Sequence, residues 1–514
     1  MTACLFGLET EYAIGWSLAA ETRVPPAEVL QWLMAEAHES LAHLTDPNGG
    51  LFLGNGSRLY TDCGWHPEFC TPECTDPWDA VRYVRAGEQI LLSLLGRVRA
   101  KHAELADAWL LRCNVDYGGG STWGCHESYL CRMRRPELPR NLIPHLVSRI
   151  VFTGAGGFGP ESAGLDFTIS PRATYFERPV SCESTSQRGI FHTRDQSLAG
   201  PGYHRVHVIC GESLCSDIAT WLKVGTTALV VAMIDAGVRP GERVELRHPV
   251  EAFHAFAADP SCTNGAELVR GGTATAIAVQ RQFLAKARES IGEAFMPPWA
   301  ARVCGAWGEM LDRLERQDPT LHTVLDWSIK RALYTRHTER RQIAWSSLPD
   351  WSTAMKRLRE ASGWNDPVLS PATLRSADPA VREVVASLKR KGLDPWRLGE
   401  VRRLRQELFE IDTKFGRLGD GGIFAALDGQ PGLLAHRVEG ERSVRAGVDQ
   451  PPASGRARVR GDFIRRCSGS HDYRVSWEDI YDSSWRRLDL SDPFVNTERW
   501  LPSPRQPGDP TAAV

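Results

Sequence analysis

Three short stretches place charged groups two residues apart, the spacing that sets side chains on one face of a β-strand. In Ala3–Gly15, ACLFGLETEYAIG, Glu9 and Glu11 share a face, with Leu8 and Thr10 on the other. In Leu51–Cys74, LFLGNGSRLYTDCGWHPEFCTPEC, the alternating set is Arg58, Tyr60 and Asp62. Beyond a glycine-containing bend, His66 and Glu68 are again two apart. In Trp109–Asp116, WLLRCNVD, residues Arg112, Asn114 and Asp116 alternate with Leu111, Cys113 and Val115. Two carboxylates on one strand face repel, and burying them is costly unless cations lie between. Oxygen donors of this kind suit Mg²⁺, which takes a few carboxylates together with phosphate and water. Three strands sharing a charged face predict an antiparallel sheet whose concave side is a site. Taken alone, the Arg58–Asp62 alternation reads equally well as a polar sheet edge with a paired Arg and Asp.

Helices must hold these strands. Pro25–Leu44 has Val29, Leu30, Leu33, Ala37 and Leu41 at helical spacing. Asp76-Pro77 is an N-cap followed by proline at the first helical position, and that helix runs past Val98. Its charged residues Arg82, Arg85, Glu88 and Arg97 read as a solvated face. A long buried helix is expected over Glu212–Asp235, and an added helical insertion over Trp345–Glu410. The basic residues of that insertion, Lys389-Arg390-Lys391 and Arg402, Arg403 and Arg405, read as a solvated face.

Loops offer further chemistry. Gly118-Gly119-Gly120 precedes Gly124-Cys125-His126-Glu127. Such a loop lets backbone amides approach phosphate oxygens, or is simply a flexible hairpin. His126 and Glu127 are adjacent, so at most one lines a site. Gly154–Gly159 matches GxGxxG, but the following PESAGLD has no helical period, so a loop is expected and not a dinucleotide-binding turn. Arg172, Arg178, Arg188 and Arg194 come next, then the alternating Tyr203-His204-Arg205-Val206-His207. Arginines on sheet faces near carboxylates stabilise a transferring phosphoryl group, although any one of them can be an ordinary salt bridge.

With 514 residues, the chain is too long for one ordinary core and predicts a large domain plus a smaller one. Lys plus Arg is 61 and Asp plus Glu is 63, which leaves no basic field for nucleic acid. The start has no basic region before Glu9 and does not read as a signal peptide. The apolar run Val224–Ile234 is too short to span a bilayer, so no membrane partner and a cytoplasmic location are expected. Thirteen cysteines, an odd and scattered count, fit reduced thiols. Cys63, Cys70 and Cys74 lie near His66 but match no zinc-finger or ribbon spacing.

The longer motifs are specific. GLETEY, NGSRLYTDxGxHPEFxTPEC, NVDxGGxxxxGCHESYL, HTRD, and YHRVHVICGES followed by LKVGTTALVVAMI resemble the Pup ligase and Pup deamidase (proteasome accessory factor) family. GVDQPPASGRARVRGDFI and YRVSWEDIY do so too, and the resemblance runs from about Cys4 to about Pro493. It implies an α+β, glutamine-synthetase-like (carboxylate-amine ligase) fold: a curved antiparallel sheet backed by helices, with a small C-terminal domain. We expect a catalytic domain over 1–417, the small domain over 418–502 and a disordered tail over 503–514.

The resemblance also implies roles. Ligases of the family use ATP to phosphorylate the C-terminal glutamate of Pup, a small modifier protein, and a target lysine attacks the acyl phosphate. Deamidases and depupylases hydrolyse the corresponding amide. Glu9, Tyr60 and Glu68 stand at the Mg²⁺ positions, with Glu11 beside them. Arg58, Thr71 and Trp477 match nucleotide contacts, Arg205 lies among the arginines expected there, and Asp62 matches the catalytic aspartate. The short Gly15–Leu51 connection, GVDQPPxxxRARxRGxFI and Asp492-Pro493-Phe494 point to the ligase branch. TPECTDPWDAV resembles the deamidase version, and the departures Gln196-Ser197-Leu198 and Gly211-Glu212-Ser213-Leu214 affect the substrate side. A nucleotide-binding scaffold without catalysis is the remaining alternative.

Overall fold

The structure, a computed structural model, describes residues 4–16, 24–62, 64–118, 121–132, 138–159, 165–194, 196, 198–362, 378–437 and 443–502. Cys63, Gly119, Gly120, Ser197 and the expected tail over 503–514 lie outside the described residues.

The strands, in chain order, are β1 (Phe6–Trp16), β2 (His43–Thr45), β3 (Leu51–Leu53), β4 (Arg58–Thr61), β5 (Pro67–Cys70), β6 (Ala108–Arg112) and β7 (Cys125–Cys131). They continue with β8 (Gly157–Phe158), β9 (Phe167–Thr168), β10 (Phe176–Ser181), β11 (Arg188–His192) and β12 (His204–Val208). Ten of them form one sheet in the order β10-β11-β12-β7-β1-β5-β4-β3-β2, with β6 pairing the far half of β1. Pairing is antiparallel except between β10 and β11, which run parallel, so the sheet is mixed and not wholly antiparallel.

Register decides which side chains meet. Glu9 stands opposite both Cys70 and His126, Glu11 opposite Glu68, and Tyr60 opposite Glu68. His207 faces Ser128 and His192. Directly paired residues share a face, so one side of the sheet collects Arg58, Tyr60, Glu68, Glu9, Glu11, His126, Arg205 and His207. The other side carries Leu8, Tyr129, Val206 and Val208, which pack with Leu222 and Leu229 of the Asp217–Asp235 helix. Leu59 and Phe69 pack with Leu91 and Leu94 of the Pro77–Lys101 helix. The Pro77–Lys101 helix begins as read: the Asp76 carboxylate accepts from Trp78 N–H at 2.8 Å, with Pro77 in the first turn.

The Trp109–Asp116 stretch does not join the charged face. β6 pairs Arg112 with Tyr12, one residue out of step with Glu9 and Glu11, so Arg112 points to the core and ion-pairs with Glu88. Asn114 bonds the backbone of Ser213, and Asp116 bonds Gly118 N–H. The same pairing corrects the solvated face expected on the Pro77–Lys101 helix. Arg82 and Glu88 are buried, and Arg85 approaches Asp217 and Asp428. Arg97 alone of the four is largely exposed. The buried helix begins at Asp217, after the N-cap Ser216, and Glu212 precedes it in a loop. This 19-residue helix is by length and composition apolar enough to cross a bilayer, with mean hydropathy 1.4, longer than the run read from the sequence, but 89 % of it is buried inside the protein. At GxGxxG, Gly157–Phe158 forms a short strand with Phe167–Thr168 in place of the plain loop expected, and residues 160–164 that follow lie outside the described residues.

Helices Leu348–Ser362, Pro379–Arg390 and Leu398–Phe415 share a core with Phe158, Leu165 and Tyr334. Their basic residues are partly paired: Arg390 with Glu383, Lys391 with Asp350. The last part of the chain forms the Arg456–Cys467 helix and a four-stranded antiparallel sheet from Tyr473 to Leu501. Its core, including Phe463, Ile480 and Leu488, is continuous with Leu44 and Phe52 on β2 and β3. The contact is close. A Cβ on Gly461 would come within 2.8 Å of Gly54 O and 3.1 Å of Gly56 N, so only glycine lets the helix sit on the β3–β4 turn. Glu73 ties the two parts: its carboxylate takes Arg456 Nε at 2.6 Å and Arg460 Nη2 at 2.5 Å.

Candidate active site

A cleft of about 1050 Å³ opens on the charged face of the sheet, roofed by Val475–Glu478 from the C-terminal part. β1, β4 and β5 bring together the groups that alternation placed on one face. The Glu9 carboxylate lies 3.4 Å from Arg205 Nη1, 3.7 Å from His207 Nε2 and 3.9 Å from His126 Nδ1. Glu11 accepts from Gly124 N–H at 2.8 Å, so that loop amide is already engaged by a carboxylate. Glu68 is buried and hydrogen-bonded to Tyr60, and among the described residues no cation forms an ion pair with it. Burial first, then the neighbouring Glu9 and Glu11, push its carboxyl well above the usual range. Burial also raises Glu11, partly offset by Arg172.

Asp62 ends β4 at the lip of the cleft. Its Oδ1 accepts from Gly64 N–H (2.9 Å) and His66 N–H (2.7 Å), and Oδ2 meets His66 Nδ1 at 3.0 Å. Burial raises this carboxyl, but the bonds from the His66 ring and backbone outweigh it, and Asp62 stays below the ordinary carboxylate range. Arg58 pairs with Asp46 at 2.5 Å and lies over the Tyr60 ring at 4.1 Å. Thr71 is fully enclosed. Its hydroxyl accepts from Leu8 N–H at 3.0 Å, and with Trp477, Arg205 and Arg456 it lines a small adjoining cavity. Trp477 packs edge-on to Phe52 at 5.0 Å, with the Arg460 guanidinium 4.8 Å from its ring.

Other residues of the cleft carry weaker signals in the sequence. His207 is two residues from Arg205 and shares its face, yet neither of its ring nitrogens has a hydrogen-bond partner among the described residues. Burial holds its imidazole well below the ordinary range and His126 down at about 4, so both are neutral donors near pH 7. Arg172, Arg188 and Arg194 line the cleft, whereas Arg178 is exposed on β10. Arg172 is buried and bonds Thr122 and the Ile209 carbonyl. Of the adjacent pair, His126 faces the cleft and Glu127 faces the core, bound to Arg149 at 2.5 Å. Cys70 and Cys74 are buried thiols. Cys70 stands beside Glu9 and Glu68, with no group of three zinc-type thiol ligands among the described residues.

A cation fits these residues. Ligand atoms of Glu9, His126 and His207 lie within 4.8 Å of one another, as do those of Glu9, Glu68 and Cys70 and those of Glu11, Glu68 and His126. Three carboxylates, a phenol and two unprotonated imidazoles converge with few protein cations between them, the setting that an oxygen-seeking divalent ion relieves.

Comparisons with known proteins cover nearly the whole chain. The family model described as Pup-ligase protein matches residues 4–356. The Pup–protein ligase of Rhodococcus opacus (strain B4) is 31 % identical over 505 residues, covering 96 % of this chain and 97 % of that protein. The Pup–protein ligase of Nocardia farcinica (strain IFM 10152) matches at the same identity and coverage, 31 %, 96 % and 97 %. Among solved structures, the complex between Pup and its ligase PafA superposes with TM-score 0.73 at 25 % identity, covering 96 % of this chain and 90 % of that one. PafA in complex with ADP gives TM-score 0.66 at 25 % identity, covering 94 % and 93 %. A charged sheet face closed by a C-terminal roof, matched over nearly the whole length to these proteins, makes this chain a member of the Pup-ligase family.

Proposed function

We propose that this chain joins the side-chain carboxylate of the C-terminal glutamate of Pup to lysines of target proteins, with ATP converted to ADP. The convergence of Glu9, Glu11 and Glu68 beside Asp62 and the cleft arginines carries this reading. A carboxylate acylates an amine only after one oxygen has become a leaving group, which phosphorylation provides. Arg58 and Arg205, with Arg172 nearby, are placed to draw the phosphate and the glutamate carboxylate together despite their like charge. Thr71 and Trp477 would hold the nucleotide at the junction of sheet and roof. Glu9, Tyr60 and Glu68 would hold Mg²⁺. When bound, Mg²⁺ neutralises phosphate charge and lets Glu68 ionise.

Asp62 is kept ionised by His66 and two backbone amides, so it attracts a lysine ammonium. A lysine near pH 7 is almost fully protonated, so a first proton must pass to water before the amine can attack. Once nitrogen bonds the acyl carbon it becomes strongly acidic, and a carboxylate held low still accepts its proton. The C–N bond forms as the C–O bond to phosphate breaks, and inorganic phosphate leaves.

The test is to incubate the protein with Glu-terminated Pup, ATP and Mg²⁺ and follow conjugate and ADP. Conjugation with little cleavage of a ready-made conjugate is expected; rapid cleavage without ligation would reverse the direction. Asp62→Asn should lower conjugation by about 10²- to 10⁴-fold with nucleotide affinity little changed.

A further inference from the structure

The turn that holds Asp62 occurs twice in this molecule. In the second copy Asp482 Oδ1 accepts from Ser484 N–H (3.0 Å) and Arg486 N–H (2.9 Å), and Oδ2 takes Arg486 Nε at 2.7 Å. Trp65 N–H donates to Asp62 O at 3.3 Å, and Trp485 N–H to Asp482 O at 2.9 Å. In each turn the residue after the small one is a tryptophan in the left-handed region, φ 61° at Trp65 and φ 58° at Trp485. Glycine or asparagine adopts that conformation at less cost, and a bulky side chain there is an outlier. Both indoles stand in the open, Trp65 at 55 % and Trp485 at 65 % exposure.

The surroundings differ. Trp485 packs against the Tyr481 ring, 6.1 Å between centroids. Among the described residues no ring stacks on Trp65. Its chain neighbours Asp62, Gly64 and His66 line the cleft, while Trp65 itself is not part of the lining. The fold gains little from an exposed, strained indole, so its use lies with something that comes to the rim.

We propose that Trp65 is a specificity-determining contact for the incoming nucleophile, its indole packing on the four-carbon stem and ammonium of a lysine delivered to Asp62. The inference rests on the assignment of Asp62 as the base. Residues three apart in such a turn have Cα atoms within about 7 Å, so the indole is anchored within a side chain's reach of a lysine whose nitrogen is at Asp62. An aromatic face attracts the cation and covers the methylenes, which a bare amine does not possess.

The test compares two nucleophiles with the full chain, Glu-terminated Pup, ATP and Mg²⁺. Hydroxylamine has no stem; Nα-acetyl-lysine methylamide has the whole one. In Trp65→Gly the KM for the lysine amide should rise about tenfold with kcat nearly constant, while the hydroxamate rate holds. Trp65→Phe should recover part of the loss, and Trp485→Gly, which relieves the same backbone conformation elsewhere, should leave the lysine KM unchanged. Glycine is at ease at φ 61°, so the thermal transition of Trp65→Gly should not fall, and misfolding would not mimic the effect. A wild-type lysine KM in Trp65→Gly, or equal losses with both nucleophiles, would overturn the proposal. A wild-type kcat in Asp62→Asn would overturn the reading beneath it, and is seen on a different variant and a different constant.

Discussion

Glu68 and Glu73 lie five residues apart, on β5 and just after it, and both are largely buried. Their environments are opposite. Glu73 faces the guanidinium groups of Arg456 and Arg460, which outweigh burial and hold its carboxyl at about 2. Glu68 faces Glu9 and Glu11, and its carboxyl is pushed well up. A buried carboxylate with its cations supplied by the chain is a joint. One whose neighbours are other carboxylates would gain from a cation supplied from outside. The joint carries a cost of its own: burial keeps Arg460 below the ordinary guanidinium range even with Glu73 opposite. The net worth of that pair is therefore smaller than the depression of Glu73 alone implies.

The comparison can be broken by substitution. Glu68→Gln should lower conjugation by about 10²- to 10³-fold, the loss typical of one preorganised electrostatic group. It should leave the thermal transition equal or higher, because it removes a repelling carboxylate. A lower transition would make Glu68 a structural residue. Glu73→Gln should do the reverse, destabilising the fold by about 3–5 kcal/mol as two buried guanidiniums lose their partner. Urea unfolding of the two variants side by side measures the contrast, and equal midpoints would abolish it.

Acid sharpens it further. Glu73 titrates near 4.5 in an unfolded chain and at about 2 when folded. Its stabilising effect is therefore complete above pH 4.5 and is lost as pH falls through the window down to about 2. The loss amounts to at most about 3 kcal/mol, less the cost of burying Arg460. In Glu73→Gln the slope of stability against pH in that window should flatten. The smallest effect is ligand-linked: Mg²⁺ at about 100 times its dissociation constant should raise wild-type stability by about 2.7 kcal/mol. Glu68→Gln should show much less of this gain, and Glu73→Gln should retain it. Calorimetry with and without Mg²⁺ reads all three proteins.

What the sequence reveals follows from how local each feature is. Arg58, Tyr60 and Glu68 are legible because a two-residue period is a property of one strand, and β1, β4 and β5 each carry it. Arg112 misleads because a strand's face depends on its partner's register. A shift of one residue turns every side chain over, and nothing near Trp109 announces that Arg112 pairs with Tyr12. Arg85 and Glu88 mislead for a related reason: their partners, Asp217 and Asp428 for Arg85 and Arg112 for Glu88, are remote in sequence. His207 was within reach, since it shares Arg205's face two residues on. The parallel pairing of β10 with β11 has no local signature, whereas the turns at Trp65 and Trp485 share Asp-x-small-Trp in sequence and only their common left-handed φ is hidden there.

The Glu73 joint also bears on how the protein comes to exist on the ribosome. Glu73 is made 383 residues before Arg456 and 387 before Arg460. At about 5–20 residues per second, the early strands wait tens of seconds for the roof that completes the cleft. Throughout that interval Glu73 lacks both Arg456 and Arg460, and the cleft lacks Val475–Glu478. A chain that stops before Arg456 therefore leaves a carboxylate at the joint without the guanidiniums that hold it ionised.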